Sequence, residues 1–344
     1  MVIVVSNRNV EREGNDGWFG EELGESNGHN LRVGVINGDA DSWSMQLLPD
    51  SSDPASSPSR SLFEGSQTAI QNAQVKLAGG ESLTAGERAL FRWVFFAHGF
   101  NTSFEESVKT CLKMAKRYTV NVILFSWPSN PGPQFLLAKY AEYKKAALNA
   151  RLSSLAFDRA LTTLGLYWRT LRQAGCEADI SMMTYSQGNY LLEQYIRSNH
   201  HDADETNIFK NIVLCSADVD YDRHGDWVPL LTPRGQVYVT INEYDSVLNI
   251  SDKVNPKRLG QMSRCAGQSE AAIYVDFTDT PKVGATHRMY ETAAKKHTGV
   301  KAFFQAALTG KPAHRVKGLQ RNAGQCVWQP EDRDQWLLED DERG

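Results

Sequence analysis

DISMMTYSQGNYLLEQYIR, residues Asp179–Arg197, changes its hydrophobic period once, and the change falls on a serine. Ile180 to Met183 form a short, nearly unbroken apolar run, the pattern of a strand buried on both faces. Further on, Leu191, Leu192 and Tyr195 fall towards one face of a helix. Ser186 lies between the two patterns, in TYSQG. Small residues two before and two after a serine let strand and helix pack closely and lift the hydroxyl clear of the backbone, the pattern written G-x-S-x-G. Gly188 meets the second position, and Thr184 is larger than the glycine of the first. On this pentapeptide alone two readings stand: a nucleophile on a tight turn, and a serine capping a helix.

Working outward, five more runs have the same buried-strand character: Trp93–Ala97, Asn121–Ser126, Asn211–Cys215, Gln236–Ile241 and Ala272–Phe277. Helical patterns lie between and beyond them. Ser103–Tyr118 opens with S-F-E-E, where Ser103 and Glu106 have capping-box spacing. Tyr140–Ala174 has helical periodicity, expected in two pieces, and Gln187–Ser198 and Ala302–Leu308 read as helices. This alternation predicts an α/β protein with a mainly parallel sheet and helices on both faces. Ligands of such sheets bind beyond the carboxyl ends of the strands. His98–Asn101, Ser186, Asp218, Asp245 and His287 all fall at such ends.

Three zones are expected. Residues 1–88 form an N-terminal extension, strand-poor, with short strands at Met1–Ser6, Leu31–Ile36 and Trp43–Leu48 and a flexible loop at Ser51–Ser61. Residues 89–309 form the alternating domain, and residues 310–344 a peripheral tail. Among 344 residues, Lys+Arg 37 against Asp+Glu 41 gives a net charge of -4, which argues against a wholly basic nucleic-acid binder. Five scattered cysteines without a C-x-x-C pair make metal and disulfide readings weak and favour a reducing compartment. The opening MVIVVSNRN reads as a strand rather than a signal peptide, and no run approaches a membrane span. A soluble, cytoplasmic protein is expected.

A serine hydroxyl needs an imidazole to take its proton and a carboxylate to orient that imidazole. With the serine on such a turn, the chain order is serine, then acid, then histidine. His287 follows the last strand run after a Pro/Gly-rich loop and is the expected base; His297 is the weaker competitor. His200, His201 and His224 read as loop residues. Asp245 ends the penultimate strand and is the favoured acid, with Asp218 and Asp220 as alternatives; strand-end aspartates also cap turns. The oxyanion needs two preorganised amides, expected from Gln187 and from Phe100 in the His98-Gly99-Phe100-Asn101 loop. His98, Asn101, Tyr185, Asn189 and Trp127 are candidate pocket residues, although Trp127 reads equally well as a loop anchor. No phosphate-binding G-x-x-x-x-G-K-[ST] occurs.

Several short motifs, in order, resemble a bacterial esterase/lipase-like family of uncharacterised function within the α/β-hydrolase superfamily. They are HGFNTSFEE from His98, FSWPS at Phe125–Ser129, Ser186-Gln187-Gly188-Asn189, ADVD at Ala217–Asp220, DSVL at Asp245–Leu248, Arg258-Leu259-Gly260 and the late His287. The resemblance covers about residues 90–310 and extends to Ser6–Arg8 (SNR). It implies an α/β-hydrolase fold and a serine hydrolase with no metal or organic cofactor, in a family whose substrates are poorly defined; a small-molecule or lipid-like acyl substrate is expected. Relatives usually carry A-H-S-M-G-N at the elbow, so Tyr185 and Gln187 place a phenol and an amide where an imidazole and a thioether would be.

Three functions follow as expectations. The first is a serine esterase using Ser186, His287 and Asp245, with thioester or amide cleavage as variants. The second is an inactive hydrolase-fold binding or scaffold protein, motivated by Thr184 and the polar elbow. The third is a lipase or acyltransferase effector regulated by the N-terminal zone.

Overall fold

A computed structural model describes residues 1–49, 58–129, 136–262, 267–324 and 326–330. Its centre is an eleven-stranded sheet. In chain order the strands are β1 (Val2–Ser6), β2 (Arg8–Arg12), β3 (Trp18–Leu23), β4 (Arg32–Gly38), β5 (Trp43–Leu47), β6 (Arg92–Ala97), β7 (Asn121–Ser126), β8 (Asp179–Tyr185), β9 (Ile212–Cys215), β10 (Val237–Ile241), β11 (Ala272–Asp276), β12 (Leu319–Asn322) and β13 (Val327–Pro330). The sheet order is β12-β13-β11-β10-β9-β8-β6-β7-β1-β4-β5, and β2 and β3 form a separate ribbon. From β13 to β1 every neighbour pairs in parallel, while β4, β5 and β12 add antiparallel edges.

Each parallel strand is apolar on both faces because both faces are covered. Trp93, Phe95, Ala97, Ile180 and Met182 join one core cluster, with the helices Leu136–Gln173 and Gly188–Ile196. Val94, Phe96, Met183 and Tyr185 join the other, with the helices Phe104–Tyr118 and Thr298–Leu308. The six expected central strands and the mainly parallel sheet are present. The expected capping box forms, with Ser103 accepting from the Glu106 amide and Glu106 accepting from the Ser103 amide.

Four expectations need correction. The N-terminal zone is not strand-poor: β1 lies inside the sheet between β7 and β4, and β2 and β3 were not foreseen. A helix, Pro58–Ala78, covers the end of the expected Ser51–Ser61 loop; the rest of that loop, residues 51–57, lies outside the described residues. Its apolar stripe is sparse: Ile70 and Ala73 are buried, and Phe63 stacks on Tyr167. That sparseness hid the helical period. The segment expected as two helices is one, Leu136–Gln173, with no proline or glycine pair to interrupt it. Finally, Cys111, Cys176 and Cys215 are free thiols, but Cys326 is disulfide-bonded, against the expectation of a chain of reduced cysteines.

Candidate active site

The carboxyl ends of β6, β7, β8, β9, β10 and β11 lie along one edge of the sheet, and the strand order turns back at β6, with β7 and β8 on its opposite sides. This is the switch point at which open parallel sheets bind ligands. Ser186 follows β8 directly and is 5% exposed. Its φ is +53°, a left-handed value that a non-glycine residue adopts only when neighbours hold it there. The neighbours are explicit. The Ser186 amide donates to the Cys215 carbonyl at 3.0 Å, and the Ser186 carbonyl accepts from the Asn189 and Asp218 amides at 3.0 and 3.2 Å.

Two glycines make the turn sterically possible. A Cβ on Gly188 would lie 2.6 Å from the Ala97 carbonyl oxygen, and one on Gly99 would lie 2.6 Å from the Ser186 Cβ. Any larger residue at either place would push β6 or its loop away from the elbow.

Thr184 occupies the place where the pattern has glycine, and it is fully buried. Its hydroxyl donates to Asn189 Oδ1 at 2.7 Å. Asn189 Nδ2 in turn donates to the carbonyls of Thr184, Ser186 and Cys215 at 3.2, 2.9 and 3.2 Å. The threonine therefore clamps the turn through Asn189 and joins the elbow to the end of β9.

His287 arrives on the loop after β11. That loop is fixed by Asn242 Nδ2, which donates to the Gly284 and Thr286 carbonyls at 2.9 Å, and by Ser216 Oγ, which donates to the His287 carbonyl at 2.7 Å. His287 Nε2 lies 2.9 Å from Ser186 Oγ, and its Nδ1 lies 2.6 Å from Asp245 Oδ2. Because a carboxylate only accepts, Nδ1 carries the proton and Nε2 is the acceptor facing the serine. The other carboxylate oxygen of Asp245 accepts from the Val247 and Leu248 amides at 2.9 and 3.1 Å, capping the helix Ser246–Ser251. Asp245 is wholly buried, and the Tyr185 ring packs 5.0 Å from the imidazole centroid. Burial keeps the Tyr185 phenol neutral by raising its pKa far above the ordinary value.

The amides of Phe100 and Gln187 donate to no carbonyl or side chain among the described residues. Both belong to the segments that meet at Ser186, through the Gly99 approach and the elbow itself.

Other sequence candidates go elsewhere. Asp218 accepts from Ser251 Oγ at 2.7 Å and Tyr143 Oη at 3.1 Å and lies 3.3 Å from Arg258 Nε; Asp220 pairs with Arg258 Nη2 at 2.7 Å. Arg258 thus pairs with both alternative acids, buried Asp218 and part-exposed Asp220. His297 is buried as a helix cap on the Val300 amide. Of the candidate pocket residues, His98, Asn189 and Trp127 are buried and hydrogen-bonded as clamps, which for Trp127 is the loop-anchor reading. The Trp127 indole donates to the His98 carbonyl at 2.9 Å and stacks on its imidazole. Asn101 is half-buried with φ +54°, its amide on the Ser129 carbonyl at 3.1 Å. Tyr143, which the sequence reading passed over, and Arg8, which it named only as the end of the SNR segment, carry much of the surrounding network. Tyr143 sits within a long helix, where no local signal distinguishes it. Among the described residues there is no group of His, Cys, Asp or Glu that could hold a metal ion, and no helix is long and apolar enough to cross a membrane.

His98 supplies a pH prediction. Burial, then the charge of Arg8, lower its pKa from 6.5 to about 3. The folded state therefore favours neutral imidazole, and this stabilisation is complete above about pH 6.5 and lost as pH falls towards 3, by up to about 1.4 kcal/mol per pH unit. Denaturant melts should show His98→Gln less stable than the wild type near neutrality, with the gap narrowing near pH 4. A gap independent of pH would show that His98 does not titrate this way.

A family described as alpha/beta hydrolase of unknown function (DUF900) matches residues 87–307. No curated protein and no solved structure matches the chain.

Proposed function

The chain belongs to this α/β-hydrolase family, and from that premise we propose that it is a serine hydrolase cleaving a carboxylic ester, with thioester and amide as chemical variants, in a small-molecule or lipid-like acyl substrate. The observation that carries the reading is the continuous relay from Ser186 Oγ through His287 to a buried Asp245, at 2.9 and 2.6 Å. A structural serine has no need of an imidazole aligned on a buried carboxylate.

The reaction follows from these positions. Ser186 Oγ attacks the carbonyl carbon while its proton passes to His287 Nε2. Asp245 keeps the Nδ1 proton in place and stabilises the imidazolium. The negative oxygen faces the amides of Phe100 and Gln187, and that neither donates elsewhere among the described residues supports this role. The bond to the leaving alcohol breaks as the imidazolium protonates it. Water then attacks the acyl carbon, gives its proton to His287, and the proton returns to Ser186 Oγ as the acid departs.

The test is a fluorophosphonate probe, which phosphonylates an activated serine. The folded wild-type protein should take one label per chain, and no labelling would overturn the reading.

A further inference from the structure

We infer that Arg8 is a positioning residue for the loop that carries the Phe100 amide; this rests on the serine-hydrolase reading above. Arg8 is the first residue of β2, far from Ser186 in sequence, and its side chain is fully buried. A buried guanidinium is tolerated only when its donors are matched. Here the matches tie the N-terminal ribbon to the site. Nε donates to Ser126 Oγ at 2.9 Å, Nη1 to the Gly20 carbonyl at 3.2 Å and to Glu21, and Nη2 to the Thr102 carbonyl at 3.0 Å.

Thr102 lies two residues after Phe100, and its carbonyl also accepts from Ser129 Oγ at 3.0 Å. Ser129 further accepts the Thr102 amide on its hydroxyl and the Asn101 amide on its carbonyl, both at 3.1 Å. Thr102 Oγ1 reaches back to the Phe100 carbonyl at 3.3 Å. The loop after β6 is thus held from one side by the WPS segment after β7 and from the other by Arg8. Glu21, the ion-pair partner of Arg8, also accepts the Phe104 amide at 2.8 Å, fixing the start of the helix just beyond the loop. Ser6 completes the anchorage: its hydroxyl donates to the Ser126 carbonyl at 2.9 Å and accepts the Arg8 amide at 3.1 Å. The SNR segment and the ribbon therefore brace the loop and contribute no reacting group.

An amide displaced by a fraction of an ångström stabilises the developing oxyanion less while leaving ground-state binding nearly alone. Arg8→Met keeps the apolar stem and removes the donors. With rates normalised to sites titrated by fluorophosphonate, this variant should lose about tenfold to a hundredfold in kcat, with KM within about threefold of wild type. Affinity for a boronic acid, which forms a tetrahedral adduct on the serine, should fall by a similar factor. The midpoint of the pH–rate profile should stay in place, and Arg8→Lys should recover part of the loss. A merely structural arginine would change the number of titratable sites and not the rate per site.

Wild-type kcat per site and wild-type boronate affinity in Arg8→Met would overturn the inference. So would a kcat loss with a moved pH midpoint and intact boronate affinity. If Arg8→Met does not fold, Ser126→Ala, which removes the acceptor of Nε, decides with the same readouts: a loss of a few-fold per site is expected, and none overturns it. A wild type that takes no probe overturns both the inference and the reading beneath it, whereas active wild type with unaffected Arg8 variants counts against Arg8 alone.

Discussion

Replacing Ser186 with alanine is expected to remove fluorophosphonate labelling and to lower ester turnover by on the order of 10⁶, to the residual rate supplied by binding and oxyanion contacts. The hydroxyl is the only group in the turn with an imidazole nitrogen aligned on it. The substitution deletes that group and little else. The hydrogen bonds that fix the elbow use the Ser186 backbone and Asn189, not Oγ. Alanine must still adopt the positive φ, as serine does, so the change in stability should stay within about 1 kcal/mol. Circular dichroism and a thermal melt establish that the variant is folded, and probe labelling with active-site-normalised turnover reads the chemistry. Labelling that survives Ser186→Ala would move the nucleophile to another residue.

Asp245→Asn should cost about 10⁴ in kcat, through the wrong imidazole tautomer. An amide nitrogen facing His287 Nδ1 would drive the proton to Nε2, leaving no lone pair for the Ser186 hydroxyl. The cap on the helix Ser246–Ser251 can persist, because an amide oxygen can still accept from Val247 and Leu248. Loss of rate should therefore exceed loss of stability. Asp218→Asn is the informative control. Asp218 faces Ser251, Tyr143 and Arg258 rather than His287, so neutralising it removes one of the two carboxylates beside a buried guanidinium, leaving Asp220, and should destabilise the fold while leaving turnover per folded site within about tenfold. The opposite ordering, with only Asp218→Asn collapsing the rate, would reassign the acid.

Both experiments concern choices that the chain order alone left open. Serine, acid and histidine follow one another in sequence, but Asp218, Asp220 and Asp245 all end strands with similar local surroundings. Which of them reaches His287 depends on the path of the loop after β11, and that path is set by Asn242 and Ser216, remote from it in sequence. The threonine in TYSQG was equally unreadable. Its size argues against a tight turn until its hydroxyl is seen to bond Asn189 and, through Asn189, the carbonyl that ends β9.

What the sequence determined by itself is the sheet and its polarity. Unbroken apolar runs of five or six residues, separated by helical periods, admit few arrangements other than parallel strands covered on both faces. That architecture collects polar residues at one edge of the sheet. Periodicity reports which faces of an element are apolar, and that is a local property of the chain. The tertiary structure alone decided that β1 runs inside the sheet, that Pro58–Ala78 is helical despite its polar composition, and that Arg8 braces the loop after β6. The physical reason is common to all three. Each depends on partners more than 90 positions away in the chain (Val2 beside Val122, Phe63 on Tyr167, Arg8 on Thr102), and no local pattern of polarity encodes such pairings.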